Sequence, residues 1–211
     1  MKCLSKLVLA SSNTGKILEF QNLLAPFALE VIPQRSLGIE APPEPYPSFV
    51  ENALTKARSA SKIAGLAALA DDSGICIDLL DDKPGVHSAR WSVMHGGLIG
   101  DEANNHYVNQ QLDGRSSKAY FVCILALVRW PDDPVPLIAE ARWCGQWLVE
   151  PRGEGGFGYD PHFLPDGHAL SAAEMGMVQK NSISHRAQAI EQLIELMLKR
   201  GLLSTKPSAV S

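Results

Sequence analysis

The sequence is poor in cysteine, contains no long apolar run and has no excess of positive charge. Its four cysteines are widely spaced among 211 residues and form no CxxC pair, which argues against a disulfide framework and against a zinc site. The longest apolar stretch, residues 119–128, is far shorter than a membrane span, and the apolar run before Ser11 is too short for a signal-peptide core. We therefore expect a cytoplasmic protein that does not associate with a membrane.

The charge balance excludes a further class of function. With 19 Lys and Arg against 23 Asp and Glu, the net charge of -4 leaves no electrostatic footprint for a nucleic-acid polymer. It still allows a small anionic ligand held by a few local cations. The apolar fraction of 45% and the charged fraction of 20% are ordinary for a globular protein. We expect a single domain over residues 1–211, with a frayed tail at 202–211.

Hydrophobic periodicity predicts an α/β domain with a mixed sheet and no clear domain boundary. The predicted strands are 6–10, 67–70, 75–80, 118–130 and 137–149. The predicted helices are one from Ile17 to about Pro26, one from the capping box of Ser48 and Glu51 to Gly65, one at about 101–112 and one that ends near Gly201. A hairpin turn at 131–134 joins the last two strands, and the proline-rich stretch 41–47 is a loop.

The segment between the first strand and the first helix is a candidate phosphate-binding loop. It consists of Ser11, Ser12, Asn13, Thr14, Gly15 and Lys16. Backbone N–H groups and the helix dipole favour an anion at a helix start, and Lys16 adds a positive charge there. The first glycine of the GxxxxGK motif is absent, so this is not a Walker motif. The alternative is an ordinary helix N-cap with a solvated lysine.

Two adjacent acids, Asp71 and Asp72, end the second predicted strand and precede Ser73 and Gly74. Carboxylates this close repel each other unless a cation or hydrogen bonds compensate. Mg²⁺ is the usual partner, because it takes oxygen ligands and bridges to phosphate oxygens. Glu44 in the proline-rich loop is a further candidate ligand. The alternative is a plain turn with solvated acids.

The segment 153–163 is rich in glycine and carries several aromatic side chains. Four of its glycines surround Phe157 and Tyr159, and Asp160 follows. Glycine lets the backbone bend sharply and come close to a ligand, so the segment suits a planar hydrogen-bonding ring such as a nucleobase. The alternative is a tight turn with both aromatics packed into the core.

A short cationic motif begins the last helix. Ser184 is followed by His185 and Arg186, with Lys180 just upstream. An arginine fork at the positive end of a helix suits a carbonyl or phosphate oxygen, whereas the alternative is a solvated first turn. Together with the other lysines, the acids and the glycine-rich segment, these are the parts of a Mg-nucleotide site.

Six motifs occur in the order and spacing of a known family. They are LASSNTGK at 9–16, FVENA at 49–53, ADDSG at 70–74, PG with SAR at 84–90, GGFGYDP at 155–161 and SHR at 184–186. Over about residues 7–198 the chain resembles Ham1/RdgB-type inosine triphosphate pyrophosphatases, which remove non-standard purine nucleoside triphosphates. The resemblance implies an elongated mixed β-sheet flanked by helices, two lobes with the active site between them, and a homodimer.

The resemblance also implies an activity and a set of site residues. The activity is Mg²⁺-dependent cleavage of ITP, dITP and XTP between the α and β phosphates, giving the monophosphate and pyrophosphate. Asp72 matches the general base and a metal ligand, with Asp71 beside it. The implied substrate contacts are the triphosphate loop 11–16, Lys56, Ser73, Lys180, and a base-reading set of Phe157, Gly158, Tyr159, Asp160, His185 and Arg186. Within that set we expect Phe157 to stack on the base and Tyr159 to maintain the shape of the loop.

One departure from the family pattern affects the metal site. The family commonly has paired acids before the Ser/Thr-Phe segment, but here Pro43 precedes Glu44. We therefore expect Glu44 alone to take that metal role.

Three rival functions are disfavoured. A Maf-like nucleotide pyrophosphatase is the nearest, but NTGK at 13–16 and GFGYD at 156–160 are typical of the first family. A nucleotide-binding sensor without turnover has no need of a base such as Asp72. A nucleic-acid-binding module conflicts with the acidic charge balance.

Overall fold

The computed structural model describes residues 3–27 and 29–203, and its strands form one mixed sheet. The strands are β1 (Lys6–Ala10), β2 (Glu30–Pro33), β3 (Ala68–Ile77), β4 (Lys83–Pro84), β5 (Ser117–Val128), β6 (Leu137–Trp147) and β7 (Phe163–Pro165). Their order is β2-β1-β3-β5-β6-β7, and β4 pairs with β3. β1 is parallel to β2 and β3, whereas β4 is antiparallel to β3 and β7 to β6. The predicted mixed sheet is confirmed.

Helices of varied length connect the strands. The α-helices are α1 (Thr14–Leu24), α2 (Phe49–Ala64), α3 (Trp91–Met94), α4 (Asp101–Leu112), α5 (Met177–Ile183) and α6 (His185–Lys199). Short 3₁₀ helices occupy Ala25–Phe27, Gln34–Leu37, Asp78–Leu80, Gly85–Arg90 and Asp160–His162. In the described part of the chain, no helix is both long enough and apolar enough to cross a membrane.

Local sequence signals explain where α2 begins and ends. Ser48 is the N-cap, and its side chain accepts a hydrogen bond from the backbone N–H of Glu51. Gly65 follows the last turn in the left-handed conformation, with φ at 66°, which glycine adopts without the steric cost of a Cβ. The capping box and the glycine stop predicted from the sequence are both confirmed.

The predicted break between two strands at Asp71 and Asp72 is wrong. β3 continues through both acids, and the chain leaves it only at the 3₁₀ helix Asp78–Leu80. The two acids are only 2% and 6% exposed. Polar residues at buried strand positions are expensive unless paired, and lysine partners described below supply that pairing. The sequence shows the acids but not their partners, so it predicted that the strand stops there.

The chain divides into two compact units. Among the described residues, unit 1 comprises those up to Asp72, 124–140 and those from Ala187 onward, and unit 2 comprises 73–123 and 141–186. Each has an apolar interior. The interior of unit 1 includes Leu7, Leu9, Phe20, Leu24, Ala53 and Leu69, and that of unit 2 includes Ile75, Trp91, Leu112, Phe121, Trp147 and Phe163.

Two expectations about the whole chain have different outcomes. A single functional domain over 1–211 stays a prediction. Of the tail expected to be frayed, Leu202 and Leu203 are buried, and 204–211 lie outside the described residues. No disulfide joins the four cysteines, all of which belong to the described part of the chain.

Candidate active site

Unit 1 brings together three acids and two lysines that are far apart in sequence. Lys56 Nζ lies 2.8 Å from Asp72 Oδ1 and 3.0 Å from Glu44 Oε1. Lys16 Nζ lies 2.5 Å from Asp71 Oδ2. We call these five side chains the acid–lysine cluster. The sequence predicted all five as site residues, and the structure brings them together.

Regular secondary structure positions most of the acid–lysine cluster. Lys16 is in the first turn of α1, Lys56 is in the middle of α2, and both aspartates belong to β3. Because these elements pack around the interior of unit 1, the charged groups have few alternative positions. Lys16 is not the solvated residue of the N-cap alternative, since its side chain is only 18% exposed.

Asn52 is a residue of this region that the sequence analysis did not select as a site residue. It is fully buried on α2, and its side chain exchanges two hydrogen bonds of 3.1 Å with the backbone of Tyr46 in the proline-rich loop. Its Nδ2 also lies 3.5 Å from Asp72 Oδ2. Asn52 thereby fastens the loop that carries Glu44 beside β3. The available signal was its spacing of four residues from Lys56, which places both on one face of α2.

The electrostatics of the cluster follow from its excess of acid. Burial raises the pKa of the Asp72 carboxyl, although Lys56 opposes that shift. Burial lowers the pKa of Lys56, but the negative charges of the surrounding carboxylates outweigh it and leave that pKa raised. Three carboxylates facing two ammonium groups leave one negative charge in excess. Both pKa shifts favour the protonated form, that of the Asp72 carboxyl and that of the Lys56 ammonium.

The donor set of the cluster suits a hard cation. Carboxylate oxygens are the side-chain ligands that Mg²⁺ prefers, and Mg²⁺ commonly uses only one or two of them together with waters and substrate phosphates. Among residues 3–27 and 29–203, no group of three or more His, Cys, Asp or Glu side chains is arranged to hold a metal ion alone. The oxygen atoms of Glu44, Asp71 and Asp72 are of the type that Mg²⁺ binds, and a metal bound there stays a prediction.

The predicted phosphate loop joins β1 to α1. Asn13 is the N-cap of α1, and its Oδ1 accepts the backbone N–H of Lys16 at 3.1 Å. Ser11 is buried, and its Oγ accepts the N–H of Asn13 at 3.3 Å. Ser12, Thr14 and Gly15 are exposed. The loop is thus an N-capped strand-to-helix connection whose lysine points to an acid of β3.

In unit 2, the segment 153–163, hereafter the recognition loop, presents the ring of Phe157 and buries that of Tyr159. Phe157 is 40% exposed. Lys180 Nζ lies 4.7 Å and the Arg186 guanidinium carbon 5.6 Å from its ring centroid, within the range of cation–π attraction. Tyr159 is 4% exposed, and its hydroxyl donates to the carbonyl of Ser88 at 2.7 Å. The tight-turn alternative, with both aromatics in the core, holds for Tyr159 alone.

Asp160 organises the recognition loop from inside. It is 3% exposed, accepts the backbone N–H of Phe157 at 2.8 Å, and forms a buried ion pair with Lys180. A Cβ at Gly156 would lie 2.1 Å from Asp160 Oδ2, and the φ of Gly156 is 76°. Only glycine fits there. A direct contact between Asp160 and a base stays a prediction.

The residues His185 and Arg186 are buried rather than solvated. They are 5% and 3% exposed at the start of α6, so the alternative of a solvated first turn is wrong. The His185 ring stacks on Phe121, with centroids 4.9 Å apart and planes 9° apart. This stacking fixes the orientation of the imidazole. His185 and Arg186 belong to the same unit as Phe157.

The structure therefore assembles the predicted site residues in two groups. The acid–lysine cluster and the phosphate loop are in unit 1, and Lys180, His185, Arg186 and the recognition loop are in unit 2. Ser73 follows Asp72 in β3 as the first residue of unit 2. An active site between two lobes stays a prediction.

Comparisons with known proteins identify the family of this chain. Residues 7–196 match the Ham1 family. The chain is 53% identical over 191 residues to a protein of Ralstonia nicotianae named dITP/XTP pyrophosphatase. The alignment covers 90% of this chain and 95% of the relative. It is 51% identical over 190 residues to a Neisseria meningitidis serogroup B protein of the same name, covering 90% of this chain and 94% of the relative.

Solved structures show the same fold. A HAM1 protein from Coxiella burnetii superposes with a TM-score of 0.85 at 42% identity, covering 93% of this chain and all of that one. The Staphylococcus aureus Ham1 protein gives a TM-score of 0.81 at 31% identity, with coverage of 92% and 99%. The family match spans most of the chain, and the relatives share both sequence and fold over nearly their full lengths. The chain belongs to the Ham1 family.

Proposed function

We propose that this protein hydrolyses non-canonical purine nucleoside triphosphates, namely ITP, dITP and XTP, to the monophosphate and pyrophosphate. The observation that carries the proposal is the contact between buried Asp72 and Lys56 in the acid–lysine cluster. A carboxylate whose pKa is raised by burial is suited to accept a proton, and the contact with Lys56 holds Asp72 in place beside a positive charge. The names of the relatives, dITP/XTP pyrophosphatase, support the choice of substrate.

The reaction requires a base and positive charge in one place. In the proposed step, Asp72 takes a proton from a water molecule whose oxygen forms a bond to the α phosphorus. The bond between that phosphorus and the α–β bridging oxygen breaks, and pyrophosphate departs with the bridging oxygen. Lys16 and Lys56 neutralise charge on the phosphate oxygens, which is the main catalytic contribution in phosphoryl chemistry of this kind.

The same proposal includes Mg²⁺ as cofactor. Asp72 and Glu44 are the proposed ligands, with Asp71 as a further candidate, because their oxygens suit a hard cation and their charges exceed those of the two lysines. When bound with the substrate, Mg²⁺ would supply positive charge to the phosphate oxygens. Asn52 supports this arrangement by fastening the loop of Glu44 to the backbone of Tyr46.

The proposed selectivity comes from the purine 6 position. Inosine and xanthine carry a carbonyl there, which can accept a hydrogen bond from His185 or Arg186. Adenine carries an amino group instead, and two facing donors would leave a buried polar group unpaired, which a site can use to discriminate strongly. Guanine shares the 6-oxo group, so we assign its rejection to the 2-amino position and the recognition loop.

One assay tests the activity, the bond cleaved and the metal together. ITP, XTP, GTP and ATP are each incubated with the protein, with and without Mg²⁺, and the products are separated. We expect monophosphate and pyrophosphate from ITP and XTP only, and only with Mg²⁺. Orthophosphate as the first product would contradict the proposed bond cleavage. Binding of ITP without turnover would favour a nucleotide sensor, and preference for modified pyrimidine triphosphates would favour a Maf-like activity.

We further propose that the protein is a cytoplasmic homodimer. The resemblance to the family supports the dimer, and the chain exposes apolar side chains that a partner would cover, including Leu98 at 79% and Ile99 at 90%. Equilibrium sedimentation checks this. A dimer has twice the chain mass of 22.8 kDa, whereas a single-chain mass at micromolar concentration would contradict it.

A further inference from the structure

The first two turns of α4 hold the recognition loop at one residue, Gly158. Asp101 Oδ2 accepts the backbone N–H of Gly158 at 2.7 Å, and Asn105 Nδ2 donates to the carbonyl of the same residue at 3.0 Å. Asp101 and Asn105 are four residues apart and so lie on one face of the helix. Both polar backbone groups of Gly158 are therefore bonded to one helix face.

Gly158 is a position where the backbone has little support of its own. Its φ is 63°, a left-handed conformation that non-glycine residues rarely adopt. A Cβ placed there would meet nothing within 4 Å, so no group packs against that side of the residue. The two hydrogen bonds from α4 are thus the contacts that fix the peptide orientation at Gly158.

These bonds act on Phe157, which precedes Gly158. The N–H of Phe157 donates to Asp160 at 2.8 Å, and its carbonyl accepts the N–H of Asp160 at 3.3 Å. With the next N–H held by Asp101, the peptide groups on both sides of the Phe157 Cα are fixed. The ring is 40% exposed and has Lys180 and Arg186 beside it. Its placement also depends on the backbone that carries it.

A neighbouring residue of α4, Asn109, makes only structural contacts to the sheet region. Asn109, one turn beyond Asn105, accepts from Trp147 Nε1 at 2.8 Å and donates to the carbonyl of Val149 at 2.9 Å. It ties α4 to the end of β6 and makes no hydrogen bond to the recognition loop. Asn105 and Asn109 are the same residue type on the same helix, with different targets.

We propose that Asp101 and Asn105 are positioning residues for purine selectivity, which act by holding Gly158 so that Phe157 presents its ring to the base. The inference rests on the proposed function, because it assumes that Phe157 contacts a purine. Neither residue is proposed to touch the substrate. Their effect should appear in the binding and discrimination of the base, and not in the chemistry at the phosphate.

The test compares Asp101→Ala and Asn105→Ala with two matched controls. Asp101→Asn keeps an oxygen that can accept the Gly158 N–H, and Asn109→Ala removes the structural contacts of the same helix. Kinetics with dITP and dATP give the base discrimination. Inhibition by inorganic pyrophosphate reports the phosphate end alone, because pyrophosphate has no base.

We expect each of the two alanine variants to lower kcat/KM for dITP by about tenfold through KM, as the loss of one charge-assisted or buried hydrogen bond implies. The ratio of kcat/KM for dITP to kcat/KM for dATP should fall. The value of kcat should change less than about twofold, and the inhibition constant of pyrophosphate should stay the same. Asp101→Asn should restore most of the loss. Asn109→Ala should lower thermal stability without changing the ratio.

Amide hydrogen exchange provides a readout that does not depend on turnover. In Asp101→Ala and Asn105→Ala, the amides of residues 157–160 should exchange about tenfold faster, and in Asn109→Ala they should not. Unchanged exchange, or unchanged discrimination with faster exchange, overturns the positioning role. If the wild-type protein does not hydrolyse dITP, the proposed function is wrong. The exchange data then still show whether α4 holds the loop.

Discussion

The acid–lysine cluster of unit 1 and the recognition loop of unit 2 are built in opposite ways. In the cluster, most of the charged side chains project from α1, α2 and β3 and form ion pairs, with Lys56 contacting two acids. In the recognition loop, the backbone itself is shaped by glycines and by side chains that bond to its peptide groups, as Asp160 bonds to Phe157. The proposed chemistry on charged phosphates needs fixed charges, whereas the proposed recognition of a flat base needs a fixed surface.

The two regions should therefore respond differently to substitution. Changes in the cluster should affect kcat and the metal requirement, and changes in the loop should affect KM and base discrimination. A single variant that changed kcat and the metal requirement together with KM and base discrimination would contradict this separation.

The largest effect is expected for Asp72→Asn. The amide keeps the size of the side chain but cannot accept the proton, and loss of a general base costs about 10²–10⁴-fold in rate. Steady-state kinetics with dITP should show kcat reduced by at least about 100-fold, with KM changed little. Asp78→Asn, an exposed acid just beyond β3, is the matched control. An Asp72→Asn variant with wild-type kcat would remove Asp72 from the mechanism.

Next in size is the effect of Glu44→Gln on the metal requirement. Removing one carboxylate from the cluster should raise the half-saturating Mg²⁺ concentration by about tenfold, the lower end of what metal-site supporting groups contribute. Titration of activity with Mg²⁺ measures this. Glu40→Gln, at an exposed position earlier in the chain, should leave the titration unchanged. An identical Mg²⁺ dependence in Glu44→Gln and wild type would exclude Glu44 from the metal site.

In unit 2, Phe157→Ala should weaken base binding without altering the metal requirement. Stacking of a base on an aromatic side chain contributes about 1–3 kcal/mol, so kcat/KM for dITP should fall by roughly tenfold, mainly through KM. Phe157→Tyr keeps the aromatic face and should retain most activity. If the alanine variant instead lowered kcat and left KM alone, the assignment of this ring to base recognition would fail.

The smallest effect on activity is expected at Asp133, which lies outside both regions. Its buried carboxylate accepts from Arg129 Nε at 2.7 Å and from the N–H of Val135 at 3.0 Å. These hydrogen bonds, chiefly those of the Arg129 side chain, lower the pKa of Asp133 to about 2. Because this pKa is lower in the folded state, the carboxylate stabilises the fold above the unfolded-state pKa. That contribution disappears as the pH falls through about 2.

Asp133→Asn should accordingly reduce the free energy of unfolding by about 2 kcal/mol at pH 7. Urea denaturation at several pH values measures the difference, which should shrink progressively below pH 4 or so. Kinetic constants for dITP should equal those of the wild type. A difference in stability that stays constant down to pH 2 would show that the ion pair is not its source.

Local signals in the sequence were sufficient for many elements. The strand at Lys6–Ala10 and the helix between the Ser48 cap and Gly65 occur as predicted, because apolar periodicity and capping act over a few residues. β2, β4 and β7 were missed. They are short, with two to four residues each, and they are strands only through their pairing with longer neighbours.

The candidate site shows the same division. Residue types and motif order identified Lys16, Lys56, Asp72 and the glycine-rich loop, since each carries a recognisable chemical group in a recognisable context. The sequence could not show that Asn52 bonds to the proline-rich loop, or that Asp101 and Asn105 bond to Gly158. These are single long-range contacts, and no local pattern records them.

By itself, the sequence determined the family and the identity of the charged residues, because these depend on which chemical groups are present and in what order. Only the tertiary structure decided that Asp71 and Asp72 lie inside a continuous strand with lysine partners, and that Phe157 is exposed while Tyr159 is buried. Burial and pairing depend on residues distant in the chain. A buried charge is stable only when such partners arrive, and their arrival is a property of the fold.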